Sequence, residues 1–225
     1  MSNAIQQIAD RMLYQWEDAV GKPVKLIRIV IQPGDESMLE AFYDYMLAVD
    51  SEEEDMVFVI ELPFSSISDF SKDVVAYIAQ QIEYWNHSEK PEEIVSEYVD
   101  WVPDYTVVMQ ENEASVAVAN LNRLTEVLVS GTDMKCSFVF NLKNTSDYDG
   151  CREWFGKALA LPFHPQMVWG ISDIKGYEQF GKLMGRHSDD TESIYPPIDL
   201  GEAMEQLAEQ AANEDKSDPA ASNWC

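Results

Sequence analysis

The sequence predicts an α/β protein: a mostly parallel five-stranded sheet with helices on both faces, in a three-layer arrangement of Rossmann-like or degenerate P-loop-like type. Three observations predict it. Residues 24–31, 56–62, 136–142 and 167–171 are short, nearly continuous apolar runs, as strands buried on both faces require. Between them lie segments with apolar residues three or four apart, long enough to serve as the helical crossovers that parallel neighbours need. With 225 residues, 46% of them hydrophobic and 11% aromatic, the chain can bury one sizeable core, which excludes disordered, collagen-like and low-complexity classes.

In chain order, Ile5, Ile8, Met12 and Trp16 share one helical face that ends before Gly21-Lys22-Pro23. The first strand, 24–31, is broken by Gln32-Pro33-Gly34, and Asp35 is placed to cap a helix carrying Met38, Leu39, Phe42 and Met46. The second strand, 56–62, closes at Pro63. Ser68 or Asp69 then caps a long helix with Phe70, Val74, Tyr77, Ile78, Ile82 and Trp85 on its buried stripe. Residues 94–98 suggest a short acidic helix, and 105–109 a short third strand. A helix over 114–129 ends at Gly131, where a left-handed terminating residue is expected. The fourth strand is 136–142, followed by a helix bearing Trp154, Phe155, Ala158 and Leu159, and the fifth is 167–171. A helix over 176–184 closes a single domain spanning residues 1–186. Residues 187–212 are expected to be a linker and an acidic helix, and 213–225 a flexible tail, since little there can be buried before Trp224.

Fifteen Lys and Arg against 41 Asp and Glu give a net charge of −26, which disfavours nucleic acid and anionic membranes because phosphate affinity comes from basic side chains. No apolar run approaches the roughly 18–20 residues of a membrane-spanning helix, so membrane insertion is not expected. The acids are massed: 11 lie between Arg28 and Lys72 with no base among them, whereas the segment from Arg123 to Arg186 carries eight bases and seven acids. Such asymmetry suits a sided potential that steers a protein partner. Cys136, Cys151 and Cys225 form no C-x-x-C pair, and with no export signal the cytoplasm is the expected compartment.

In a parallel sheet ligands bind beyond the carboxyl ends of the strands. The first such loop, Gln32-Pro33-Gly34-Asp35-Glu36-Ser37, lacks the G-x-x-x-x-G-K-[ST] spacing and sets carboxylates where phosphates need amides and a cation. No G-x-G-x-x-G opens a helix, and no cofactor is expected. In order and spacing over residues 25–173, the β-α units and the long helical excursion before the fourth strand resemble a P-loop ATPase core without its phosphate loop. That resemblance implies a descendant kept for contacts, with no catalytic residue carried over.

Asp35, Glu61, Glu111 and Asp173 stand at or just after expected strands and are the candidate oxygen ligands for a divalent cation. Cys151, Ser65 and Ser66, with His164 or His187 as base, are the candidate nucleophilic sets, and none has a supporting motif. The proline-braced segments Leu161-Pro162-Phe163-His164-Pro165 and Leu62-Pro63-Phe64 present Phe163, His164 and Phe64 at low entropic cost, so these residues, with Trp224, are the candidate protein contacts. The expected function is therefore non-catalytic: an assembly subunit or adaptor binding other proteins, including further copies of itself. The alternatives are a Mg²⁺-dependent enzyme acting on a phosphorylated small molecule or nucleotide, and an acidic inhibitor of immunity type.

Overall fold

The computed structural model describes residues 4–47, 55–89, 98–106 and 112–198. Within them the elements run α1 (Ala4–Val20), β1 (Leu26–Ile31), α2 (Glu36–Leu47), β2 (Met56–Glu61), α3 (Phe70–His87), α4 (Ser115–Val129), β3 (Cys136–Asn141), α5 (Tyr148–Leu159), β4 (Met167–Ile174), α6 (Gly181–Arg186) and β5 (Thr191–Ile194). The strands form one all-parallel sheet in the order β2-β3-β4-β1-β5. The fold is thus the expected α/β class, with five strands and both faces covered.

Alternation along the strands sorts the core into two layers. Ile27, Ile29 and Ile31 of β1 face α1 and α2, where Trp16, Phe42 and Met46 are buried against them. Leu26 of β1, Phe138 and Phe140 of β3, and Trp169 and Ile171 of β4 face the other way, onto α3, α4, α5 and α6. Of the expected stripes, Ile8, Met12 and Trp16 of α1 and Met38, Leu39, Phe42 and Met46 of α2 are buried. Gly131 ends α4 with φ of 79°, the left-handed conformation a glycine adopts without strain. Gly170 is required for a different reason. It lies in β4 at the centre of the sheet, where a Cβ would come within 2.8 Å of the Trp16 ring, so α1 rests directly on the backbone there.

Three expectations are corrected or fall elsewhere. The fifth strand is Thr191–Ile194, inside the segment expected to be linker, so the domain continues past residue 186. Its polar composition hid it: it pairs with β1 on one side only and is four residues long, so little apolar sequence is needed to seat it. Tyr105 and Thr106 are not in a strand, and the rest of the expected 105–109 strand lies outside the described residues. So do most of the acidic helix at 94–98, the helix over 200–212, and the tail with Trp224. Helix α6 begins at Gly181, five residues later than expected, because residues 175–180 are held in a turn by Asp173.

Candidate functional site

The carboxyl ends of β1 and β4, where the chain leaves neighbouring strands in opposite directions, are the usual ligand position of such a sheet. Here Arg28 of β1 and Asp173 of β4 form a buried ion pair, with Nε 2.8 Å from Oδ2. The same carboxylate accepts from the amides of Ile174 and Gln179 at 2.9 Å and Phe180 at 3.0 Å. Asp173 is therefore occupied in anchoring the turn into α6. At the carboxyl end of β3, one strand beyond β4, Lys143 Nζ lies 2.7 Å from Glu40 and 3.0 Å from Glu61, and the Asn141 amide donates to both carboxylates. The two acids hold the Lys143 ammonium well above its ordinary pKa.

The described members of the candidate cation-ligand set are not brought together. Glu61 and Asp173 stand at the ends of β2 and β4, which flank β3 and are separated by about 10 Å at ordinary strand spacing. Asp35 opens α2 with its carbonyl accepting from Met38 and Leu39, and Glu111 lies outside the described residues. Among the described residues no three His, Cys, Asp or Glu side chains converge.

The nucleophile candidates are likewise engaged elsewhere. Ser65 donates to Asp73 and Ser66 to Asp69, while His164 Nε2 sits 2.8 Å from Glu126. Burial pushes the thiols of Cys136 and Cys151 up to about 12, so neither is a thiolate at neutral pH. Maleimide at pH 8 is expected to leave both unmodified in the folded protein and to label both in denaturant, as peptide mass mapping would show. Labelling of Cys151 in the native state would restore it as a nucleophile candidate.

The proline-braced segments pack to different degrees. Phe64 is 6% exposed and its ring lies 5.0 Å from that of Phe70, so it belongs to the core. Phe163 is half-buried, 4.7 Å from the Trp169 ring and 5.8 Å from the Lys25 ammonium. Asn122 clamps this loop, accepting from the His164 amide and donating to the Pro162 carbonyl, and His164 in turn accepts from the Gln166 amide. The prolines fix a helix-to-strand connection against the sheet, with Phe163 and His164 half-buried.

An apolar opening lies at the β2 margin of the sheet. Among the described residues β2 is an edge strand, and Met56–Val59 are only half-buried although every one is apolar. Helix α2 overhangs this edge on one face and α3 on the other, leaving a groove of about 500 Å³. Its α3 side presents Tyr77, Tyr84 and Trp85, with Tyr84 74% and Trp85 39% exposed, and its α2 side ends in Leu47 at 51%. Glu40, Asp44 and Glu61 stand on the rim, and no Lys or Arg is among the described residues lining it. Sequence reasoning missed this groove because Tyr77 and Trp85 continue the apolar stripe of α3. Only the strand order shows that the end of that stripe projects beyond the sheet.

No protein-family model matches the chain, and no curated protein matches it. Among solved structures it is similar to a chain of "Structure of Drosophila ORC bound to AT-rich DNA and Cdc6", at 11% identity, covering 87% of this chain and 59% of that one, with a TM-score of 0.40. This chain thus spans about three fifths of that chain's length. Among the described residues no helix is long and apolar enough to cross a membrane.

Proposed function

We propose that this chain is a non-catalytic, cytoplasmic protein-binding subunit or adaptor, and that the groove along the outer edge of β2 is its binding face. The observation that carries this reading is the exposed aromatic and aliphatic lining of that groove, formed by Leu47, Tyr84 and Trp85 around a half-buried apolar strand. Apolar openings of this kind, rimmed by polar residues, mark interaction sites, and aromatic anchors supply most of the energy at their centres. The buried free thiols of Cys136 and Cys151 are in keeping with a reducing compartment.

Placing a photo-cross-linking amino acid at Leu47 or Tyr84, and separately at the equally exposed Tyr14 of α1 and Tyr177, tests the assignment in cells that express the protein naturally. Discrete adducts of one mass from the two groove positions, absent at Tyr14 and Tyr177, are expected. Adducts only from the control positions would sink it.

A further inference from the structure

The groove has a strand edge for its floor, which restricts what can fill it. In the parallel ladder the Met56 amide donates to the Lys135 carbonyl, so Met56, Phe58 and Ile60 turn their main-chain groups inward to β3. Val57, Val59 and Glu61 therefore turn theirs outward. The Val59 carbonyl is met there by the Tyr77 hydroxyl, which donates to it at 3.2 Å. A side-chain hydroxyl occupies the position that the amide of a neighbouring strand would take. An edge of six residues, five of them apolar and about 20 Å long in all, is a template for one more strand.

The two walls differ, and the difference specifies the occupant. Successive side chains of an added strand point alternately toward α2 and toward α3. On the α3 side they meet Tyr84 and Trp85, which suit apolar residues. On the α2 side they meet the carboxylates of Glu40 and Asp44, with Glu61 at the strand end and Leu47 at the far end of the helix, so Lys or Arg suits the positions beside the acids. Lys143 is bonded to both Glu40 and Glu61 and offsets one of these three charges, so the wall stays acidic within a chain of net charge −26.

We propose that β2 is completed in the functional complex by an extended segment of a partner protein, in which basic and apolar residues alternate, added as a sixth strand to the sheet. This rests on the groove being a binding face and adds the mode of binding and the chemistry of the bound segment. Main-chain hydrogen bonds would supply affinity and the alternating pockets specificity.

The test uses the full chain and a short synthetic peptide alternating valine with lysine, followed by calorimetry and amide exchange. Saturable binding is expected, with slowed exchange at the amides of Val57, Val59 and Glu61. A peptide with glutamate in place of lysine, and a lysine peptide N-methylated on its β2-facing amides, should each bind about tenfold or more weakly. Val59→Pro removes one outward donor while leaving the β2–β3 ladder bonded, and Asp44→Lys reverses one wall charge on an exposed helix face; each should weaken binding by about the same factor. Equal binding of the N-methylated peptide, or of the glutamate peptide, would overturn the proposal. Cross-links from Leu47 and Tyr84 without slowed exchange at the three amides would also overturn it while leaving the groove as the binding face. Absence of those cross-links would remove the groove reading itself. Protection of the three amides in the free chain would assign the edge elsewhere. If lost on dilution it would indicate a second copy, and if lost on deletion of residues 199–225 the chain's own terminus; either overturns the partner proposal.

Discussion

Asp173→Asn is expected to lower folding stability by about 3–5 kcal/mol, the cost of leaving a buried charge without its partner. Arg28 and Asp173 are 5% and 4% exposed, so water cannot replace the lost carboxylate. The asparagine keeps one acceptor, but its amide nitrogen then faces a donor, either the Arg28 Nε–H or one of the turn amides, that the carboxylate satisfied. The double variant Arg28→Met, Asp173→Asn should recover part of the loss by removing the orphaned charge, as a double-mutant cycle in urea would measure. A loss under about 1 kcal/mol in the single variant would show that the pair is hydrated and that the turn into α6 stands without it.

Trp154→Ala should cost a similar amount, about 3–5 kcal/mol, through the cavity it opens. Trp154 is fully buried and stacks on Trp169 with ring centroids 5.7 Å apart and planes 8° from parallel. It meets Phe70 edge-on at 4.8 Å and Phe155 at 5.1 Å, so one deletion strips contacts from α3, α5 and β4 together. Its indole N–H also donates to Ser71 Oγ at 3.1 Å, and that hydroxyl donates in turn to the Glu113 carbonyl at the start of α4. Trp154→Phe keeps most of the ring packing and loses the hydrogen bond, so about half the loss or less is expected, by urea titration with near-ultraviolet circular dichroism following the aromatic cluster. Equal losses in the two variants would place the energy in the hydrogen bond instead of the packing.

Four of the five strands and all of the helices that cover the sheet carry periodicities strong enough to be found without coordinates, because central parallel strands must be apolar on both faces. β5 carries none: Thr191-Glu192-Ser193-Ile194 buries only its first and last residues, and an alternation that short is indistinguishable from loop. The candidate sites were legible in composition and illegible in position. Asp173 and Glu61 do lie at strand ends, but which ends adjoin depends on the order β2-β3-β4-β1-β5, a long-range property that local spacing does not encode. Phe163 shows the converse difficulty, since proline bracing looks the same whether the braced ring faces a partner or, as here, Trp169. The groove at β2 required both kinds of knowledge, the order that makes β2 an edge and the overhang that leaves Tyr84 and Trp85 outside the core.

The two margins of the sheet are unlike, and this limits the stoichiometry open to the molecule. β2 is six residues long and turns the main-chain groups of Val57, Val59 and Glu61 outward, with the Val59 carbonyl met by the Tyr77 hydroxyl, whereas β5 is four residues long and runs into Pro196-Pro197, which lack the amide protons a further neighbour would need. Head-to-tail addition of sheet to sheet requires two complementary margins, and among the described residues β2 is the longer and the more apolar of the two. Edge-to-edge pairing that uses β2 alone is therefore finite: one foreign segment per chain, or a two-fold pair of identical edges.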